Sequence, residues 1–246
     1  MSWFDAAGAG EVRADRLAAQ VIVIAKEPIP GRVKTRLTPP LSPAMAAALA
    51  EAALADTLDV VAASAVARRV LALDGAPGDW LPAGFEVIGQ RGGGLDERLA
   101  AAFADAYAAR PLPMVLIGMD TPQVTSQLIH DAAQSLISGE ADAVFGPAED
   151  GGFWLLGLRR PDRSLLAGVP MSQPDTGRVQ LDRLTSAGLR VALAPRLTDV
   201  DTIDTAEGVA DVIPDSRFAK VFSMAAAALP ALKAQATGPS TVTRLP

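Results

Sequence analysis

Short aliphatic and β-branched runs recur along this chain, most of them separated by stretches of helical length, and this alternation constrains the fold more than any other feature. Val21-Ile22-Val23-Ile24 is apolar without a break, as expected of a strand covered on both faces of a parallel sheet. Ser42-Pro43 then opens a long helix to about residue 65, with serine suited to the N-cap and proline to the first helical position. Further strands are expected over 70–73, 85–88, 114–117, 143–145, 153–158 and 189–193, and further helices over 95–109, 125–138, 175–187, 205–213 and 217–232. The pattern predicts an α/β fold: a Rossmann-like three-layer sandwich around a mostly parallel sheet with right-handed crossovers.

With 246 residues, half of them hydrophobic, the chain has enough material for one sizeable core. No internal repeat or long linker divides it. We expect one folded domain over 19–232, a flexible segment over 1–18, and a disordered tail over 233–246, where Gly, Pro, Ser and Thr replace apolar residues.

Composition narrows the chemistry. A net charge of −6 gives no overall field for nucleic acid or an anionic membrane, so any polyanion site must be local. No cysteine is present, which removes disulfides, thiolate metal sites and a cysteine nucleophile. His130 is the only histidine; it falls in a helical stretch and reads as structural. The opening MSWFDAAGAGEVRADR carries acids and does not read as a secretory signal. No apolar run approaches the roughly 20 residues of a membrane span. A cytoplasmic protein without a membrane span is expected.

In open α/β sheets ligands bind beyond the carboxyl ends of the strands. The first such end carries KEPIPGRVKTR, in which Lys26, Arg32, Lys34 and Arg36 stand against the single acid Glu27. In an extended loop Arg32, Lys34 and Arg36 would point to one side and Gly31 would admit close backbone approach, a set suited to consecutive phosphates. The alternative is a solvated turn built on Pro28, Pro30 and Gly31. Glycine spacing and the GK[ST] ending of a Walker A loop are absent.

The strand at 114–117 leads to Gly118-Met119-Asp120-Thr121-Pro122. A hard divalent ion on phosphates takes one or two protein carboxylates, so Asp120 is the first metal candidate, unless it caps the turn. Glu149-Asp150-Gly151-Gly152 is a second acidic edge, where glycines admit a ligand or simply close a hairpin. In Asp199-Val200-Asp201-Thr202 both acids share a side if the loop is extended, and either Asp199 or Asp201 completes the coordination begun by Asp120. The alternative is a helix start capped by Thr202, Asp204 or Thr205. Gln90-Arg91-Gly92-Gly93-Gly94 fits either a cradle for a base or phosphate or a mobile loop. Phe153 and Trp154 read as core.

Together AKEPIPGRVKTRL (25–37), IGMDTP (117–122), GPAEDGGFWLLGL (146–158) and DVDTIDTAE (199–207) resemble the glycosyltransferase-A-like proteins grouped as DUF2064, or arsenosugar-biosynthesis-type glycosyltransferases, of the nucleotide-diphospho-sugar transferase superfamily. The resemblance runs from about residue 21 to 213. More distantly, KTRL is similar to a segment of 2-phospholactate guanylyltransferase, and DVDT to a loop of molybdenum-cofactor-type guanylyltransferases. The resemblance implies that the loop from Lys26 to Arg36 meets nucleotide phosphates and that Asp120 sits where the superfamily holds Mg²⁺ or Mn²⁺, with Asp199 or Asp201 as second ligand. One departure matters: many glycosyltransferases of this fold carry Asp-x-Asp where this chain reads Gly118-Met119-Asp120, and a single acid there is closer to the nucleotidyltransferases.

The expected activity is a metal-dependent glycosyltransferase acting on a nucleotide-diphosphate sugar and a small-molecule acceptor of unspecified identity. In it Asp120 and Lys34 serve catalysis, and Asp150 is the candidate general base. Two alternatives stay open. One is a nucleotidyltransferase that joins a nucleoside triphosphate to a small phosphorylated acceptor with release of pyrophosphate; the other is a nucleotide-binding protein without chemistry.

Overall fold

The computed structural model describes residues 16–236, with side chains as far as residue 228. Its seven strands are β1 (Leu17–Lys26), β2 (Val66–Asp74), β3 (Glu86–Gly89), β4 (Met114–Gly118), β5 (Ala143–Pro147), β6 (Phe153–Leu158) and β7 (Val191–Leu193). They form one sheet in the order β3-β2-β1-β4-β6-β5-β7. All neighbours pair in parallel except β6, which runs antiparallel to both β4 and β5.

β1 shows why its apolar run is continuous. Val21 and Val23 face one core, and Ile22 and Ile24 face the other. The first core is closed by α1 (Pro43–Ala63) and α3 (Ser126–Ser138), which contribute Leu54, Leu58, Ile129 and Leu136. The second is closed by α2 (Leu95–Ala109) and α4 (Thr176–Ser186), through Leu99, Phe103 and Leu184. Phe103 is fully buried, and truncation to alanine would cost about 3–5 kcal/mol.

The opposite side of α1 packs against α5 (Ile203–Val212) and α6 (Arg217–Ala236), where Leu49 meets Val209, Phe218 and Phe222. A helix buried on two sides cannot present one apolar stripe, and alanines let both neighbours approach. Ser42 caps α1 by accepting from the Met45 N–H at 3.2 Å. Thr202 and Thr205 form a reciprocal capping box at α5.

Two expected boundaries shift. The first strand begins at Leu17, inside the segment expected to be flexible, and α6 continues to Ala236, past the expected end at 232. The remainder of both expected terminal segments, 1–15 and 237–246, lies outside the described residues. Short 3₁₀ turns at Thr35–Leu37 and Arg163–Leu165 were not anticipated. Among the described residues no helix is long and apolar enough to cross a membrane.

Candidate active-site cleft

A cleft of about 800 Å³ opens at the carboxyl end of the parallel strands. It is walled by the loop after β1, the glycine loop before α2, the tip of β4, the β5–β6 hairpin loop, the segment before α4, and the loop after β7. Lys26, Arg32, Lys34, Arg36, Asp120, Asp150, Asp199 and Asp201 all line it. Of the predicted site residues only Gly31 does not. Its φ of +79° serves a turn in which the Arg32 N–H donates to the Ile29 carbonyl at 3.0 Å.

The loop after β1 is not extended, so the expected alternation of Arg32, Lys34 and Arg36 does not hold. Residues 30–33 turn, Lys34 takes the left-handed conformation (φ 47°, ψ 40°), and a 3₁₀ turn follows. That conformation costs a non-glycine residue about 1–2 kcal/mol, and such outliers concentrate at functional sites. Here it sends the lysine inward. Its Nζ lies 2.6 Å from Asp120 Oδ1 and also donates to the Val200 carbonyl. The Lys34 side chain is only 8% exposed, whereas that of Asp120 is 45% exposed. Arg36 reaches across to pair with Asp201.

Two backbone links bring the distant loops together. The Val200 N–H donates to the Asp120 carbonyl at 2.9 Å, and the Glu149 N–H donates to the Leu197 carbonyl at 3.1 Å. Asp120, Asp150 and Asp199 are thereby gathered around one end of the cleft. The Asp199 carboxyl is pushed above the ordinary range, first by burial and then by the nearby Asp150 charge. A backbone hydrogen bond and Lys34 oppose the shift, and Asp120 adds to it. Asp201 is instead engaged by Arg36.

Among the described residues, no group of three or more acids or histidines is set to hold a metal. The three candidates Asp120, Asp199 and Asp201 therefore do not form a cage. Asp120 and Asp199 do fit a nucleotide-bound hard cation, which needs only one or two protein carboxylates and takes its other oxygens from phosphate and water. Crowded, partly desolvated carboxylates are the electrostatic condition that a cation relieves.

Gly151 and Gly152 close the β5–β6 hairpin, the second of the two expected roles, with the Ala148 N–H donating to the Gly152 carbonyl at 3.1 Å, and Gly151 has a further role. A Cβ on Gly151 would lie 1.9 Å from the Pro174 carbonyl oxygen, and one on Gly177 would lie 2.4 Å from that of Gly152. The close approach they permit is between two loops of the protein. The Gly177 N–H to Gly151 carbonyl bond, at 2.7 Å, locks that contact. Asp150 Oδ1 accepts from the Gly152 N–H at 2.7 Å, which fixes the carboxylate at the cleft edge.

Sequence reasoning passed over several lining residues. Met171, Ser172, Gln173 and Thr176 form a wall leading into the start of α4, with Ser172 at φ 58°. Nothing in their composition marked them; only the two-loop lock brings them to the cleft. Gln90 donates to the Ala25 and Ala72 carbonyls at 2.7 and 3.0 Å, and Arg98 pairs with Asp74 at 2.9 Å. Both line the cleft, so the glycine loop is part of the site. His130 is exposed on α3 and lines a separate shallow groove. Trp154 is buried as expected and donates to the Pro195 carbonyl at 2.9 Å.

This sheet order and its carboxyl-end cleft define a protein of the nucleotide-diphospho-sugar transferase fold class. The model of the family DUF2064, described as "Uncharacterized protein conserved in bacteria", matches residues 47–173. That is more than half of the chain, and the chain belongs to this family. The matched span includes Asp120 and Asp150 but neither the Lys26–Arg36 loop nor Asp199–Asp201.

A solved structure of a candidate nucleotide-diphospho-sugar transferase from Desulfovibrio desulfuricans G20 is 26% identical, with a TM-score of 0.76 over 89% of this chain and 97% of that one. The same fold recurs at 14% identity in two further structures. One is a CMP:2-keto-3-deoxy-manno-octonic acid synthetase complexed with CTP (TM-score 0.51, 80% of this chain and 98% of that one). The other is a cytidylyltransferase from Leptospira borgpetersenii serovar Hardjo-bovis (TM-score 0.51, 88% and 97%). No curated protein matches the chain in sequence.

Proposed function

We propose that this protein is a metal-dependent glycosyltransferase that takes a nucleotide-diphosphate sugar as donor. The observation that carries the reading is the inward Lys34, held in a left-handed conformation against Asp120 at the head of a cleft lined by Lys26, Arg32 and Arg36. The similarity to a candidate nucleotide-diphospho-sugar transferase over nearly all of that protein's length supports it.

In this reading Lys26, Arg32, Lys34 and Arg36 bind the donor diphosphate, and Asp120 and Asp199 would hold Mg²⁺ or Mn²⁺. A divalent cation bound there supplies positive charge to the departing nucleoside diphosphate. Lys34 and Arg36 add to that charge as the sugar–phosphate bond breaks. Asp150, held by Gly152 at the cleft edge, takes the proton from the acceptor hydroxyl as its oxygen bonds to the sugar carbon.

A second reading has its own support. The single carboxylate at the β4 tip suits nucleotidyl transfer from a nucleoside triphosphate, a reaction that rests on positioning and charge neutralisation more than on a protein nucleophile.

A thermal-shift panel of nucleoside triphosphates and nucleotide sugars, each with MgCl₂ or MnCl₂, tests both. A ligand at a hundred times its Kd adds about 2.7 kcal/mol of stability. Metal-dependent stabilisation by one nucleotide sugar, followed by release of nucleoside diphosphate on turnover, is the expected result. A response confined to a triphosphate, with pyrophosphate released, replaces the first reading by the second. Silence across the panel removes both.

A further inference from the structure

The cations that follow β1 into the cleft are of two kinds. Lys26 and Arg32 are exposed and enter no ion pair among the described residues. Lys34 and Arg36 are each held by an acid, Asp120 and Asp201. All four line the same cleft.

Lys34 is the more confined of the held pair. Its side chain is 8% exposed, its Nζ lies 2.6 Å from Asp120 Oδ1, and it also donates to the Val200 carbonyl. The Val200 N–H donates in turn to the Asp120 carbonyl at 2.9 Å. The ammonium therefore sits where the tip of β4 meets the loop of Asp199 and Asp201, beside the carboxylate assigned to a divalent cation. A positive charge in contact with a carboxylate attracts it and repels any second cation that approaches the same group.

We infer that Lys34 is a latch: in the empty cleft its ammonium holds Asp120 against a divalent cation, and a diphosphate draws it away and opens the carboxylate to the metal. The unpaired Lys26 and Arg32 meet the diphosphate first, because they have no acid to leave. The inference rests on the reading of Asp120 and Asp199 as metal ligands. Its consequence is a coupling between two ligands. Metal and diphosphate each bind more tightly in the presence of the other, by the same factor, and part of that factor is the opening of the latch.

The test starts with Mn²⁺ alone, titrated onto the full-length protein without nucleotide and followed by electron paramagnetic resonance. Lys34→Met keeps most of the stem and removes the charge, and should bind Mn²⁺ at least about tenfold more tightly than the wild type. Arg32→Met removes a charge of the same sign that pairs with no carboxylate, and should change the affinity less than about threefold. Lys34→Gly suits the left-handed backbone at this position and should reproduce the gain, with thermal unfolding as the check that both variants are folded. Adding Asp120→Asn to Lys34→Met should cancel the gain. At fixed free Mn²⁺, inorganic pyrophosphate should then raise the Mn²⁺ affinity of the wild type at least about tenfold more than that of Lys34→Met, whose carboxylate is already open.

Equal Mn²⁺ affinity in the wild type and both Lys34 variants, an equal gain in Arg32→Met, or a pyrophosphate effect of the same size in wild type and Lys34→Met would overturn the latch while leaving the metal assignment intact. Asp120→Asn without effect on Mn²⁺ binding in either the wild type or Lys34→Met would instead sink the metal assignment, and the latch with it.

Discussion

Cation–carboxylate pairs occur at both ends of the sheet, and the two ends use them differently. At the amino end Arg68 is buried and held by three hydrogen bonds. It donates to Gln20 Oε1 at 2.7 Å, to the Ala106 carbonyl at 2.9 Å and to Glu86 Oε2 at 2.6 Å. The Gln20 amide in turn donates to the Arg110 carbonyl at 2.8 Å. At the carboxyl end Lys34–Asp120 and Arg36–Asp201 face an open cleft, and Lys34 holds its place through a left-handed backbone. A buried guanidinium that bonds groups on three elements ties those elements together. A pair at a cleft keeps opposite charges poised for a ligand that competes for both.

The largest effect that would break this contrast is at Arg68. Arg68→Met leaves Gln20 Oε1 buried without its charged donor and removes one of the donors to the Ala106 carbonyl, and is expected to destabilise the fold by about 3 kcal/mol. Urea unfolding measures it. A loss as small as that of a surface pair would mean that the amino-end network is not structural.

Next is Asp120→Asn, with an expected loss of 10²–10³ in turnover, on the order of what a single electrostatic stabiliser contributes. It keeps an acceptor for Lys34, so the unfolding midpoint should move little. Steady-state release of nucleoside diphosphate beside thermal unfolding checks both halves. Unchanged turnover would take Asp120 out of the mechanism.

Asp199→Asn sharpens the contrast by sign. Its carboxyl titrates above the ordinary range because of burial and its acidic neighbours. A raised carboxyl pKa disfavours the charged native state, so it reduces stability at pH values above the unfolded pKa and not below it. Removing the charge should therefore raise the melting temperature at neutral pH, with the gain fading in acid, while stabilisation by Mg²⁺ with the nucleotide is lost. This is the stability–activity opposition expected of a site held strained for its ligand. A fall in the melting temperature at neutral pH would refute the electrostatic account.

How far the sequence carried these distinctions can be judged from particular residues. The apolar run of β1 and the Ser42-Pro43 start of α1 were legible because periodicity and capping are local. Asp120 and the cation loop were legible as anomalies at strand ends, and the structure brings both to the cleft. The path of the loop was not: Lys34 adopts its conformation because Asp120 and the Val200 carbonyl await it, and those partners lie far along the chain. The loops around Gly151 and Gly177 were equally hidden, since their glycines are required by a tertiary contact and not by a local turn alone. Gln20 and Arg68 stood beside apolar runs with no sign of one another. A buried polar network has no period.

The smallest expected effect concerns the other amino-end pair and depends on pH. Asp142 precedes β5 and takes a two-pronged contact from Arg190, with Nε 2.9 Å from Oδ2 and Nη2 3.0 Å from Oδ1. The Arg190 N–H adds a bond at 3.2 Å, and Arg159 stands 3.6 Å away. The side-chain hydrogen bond from Arg190 is the main cause that lowers the Asp142 carboxyl to about 2. A depressed carboxylate stabilises the fold above its unfolded pKa, roughly 3.9, and that contribution is lost as pH falls toward the folded value. The pair is largely solvent-exposed, so its contribution is small and is screened by salt. Asp142→Asn should therefore melt slightly below the wild type at pH 7 in low salt. The gap should shrink in 1 M salt and close between about pH 4 and pH 2, where the wild type has itself lost the charge. A gap that persists unchanged at pH 2 would assign the role of Asp142 to packing or neutral hydrogen bonds, and would separate it from the charge network that holds Arg68.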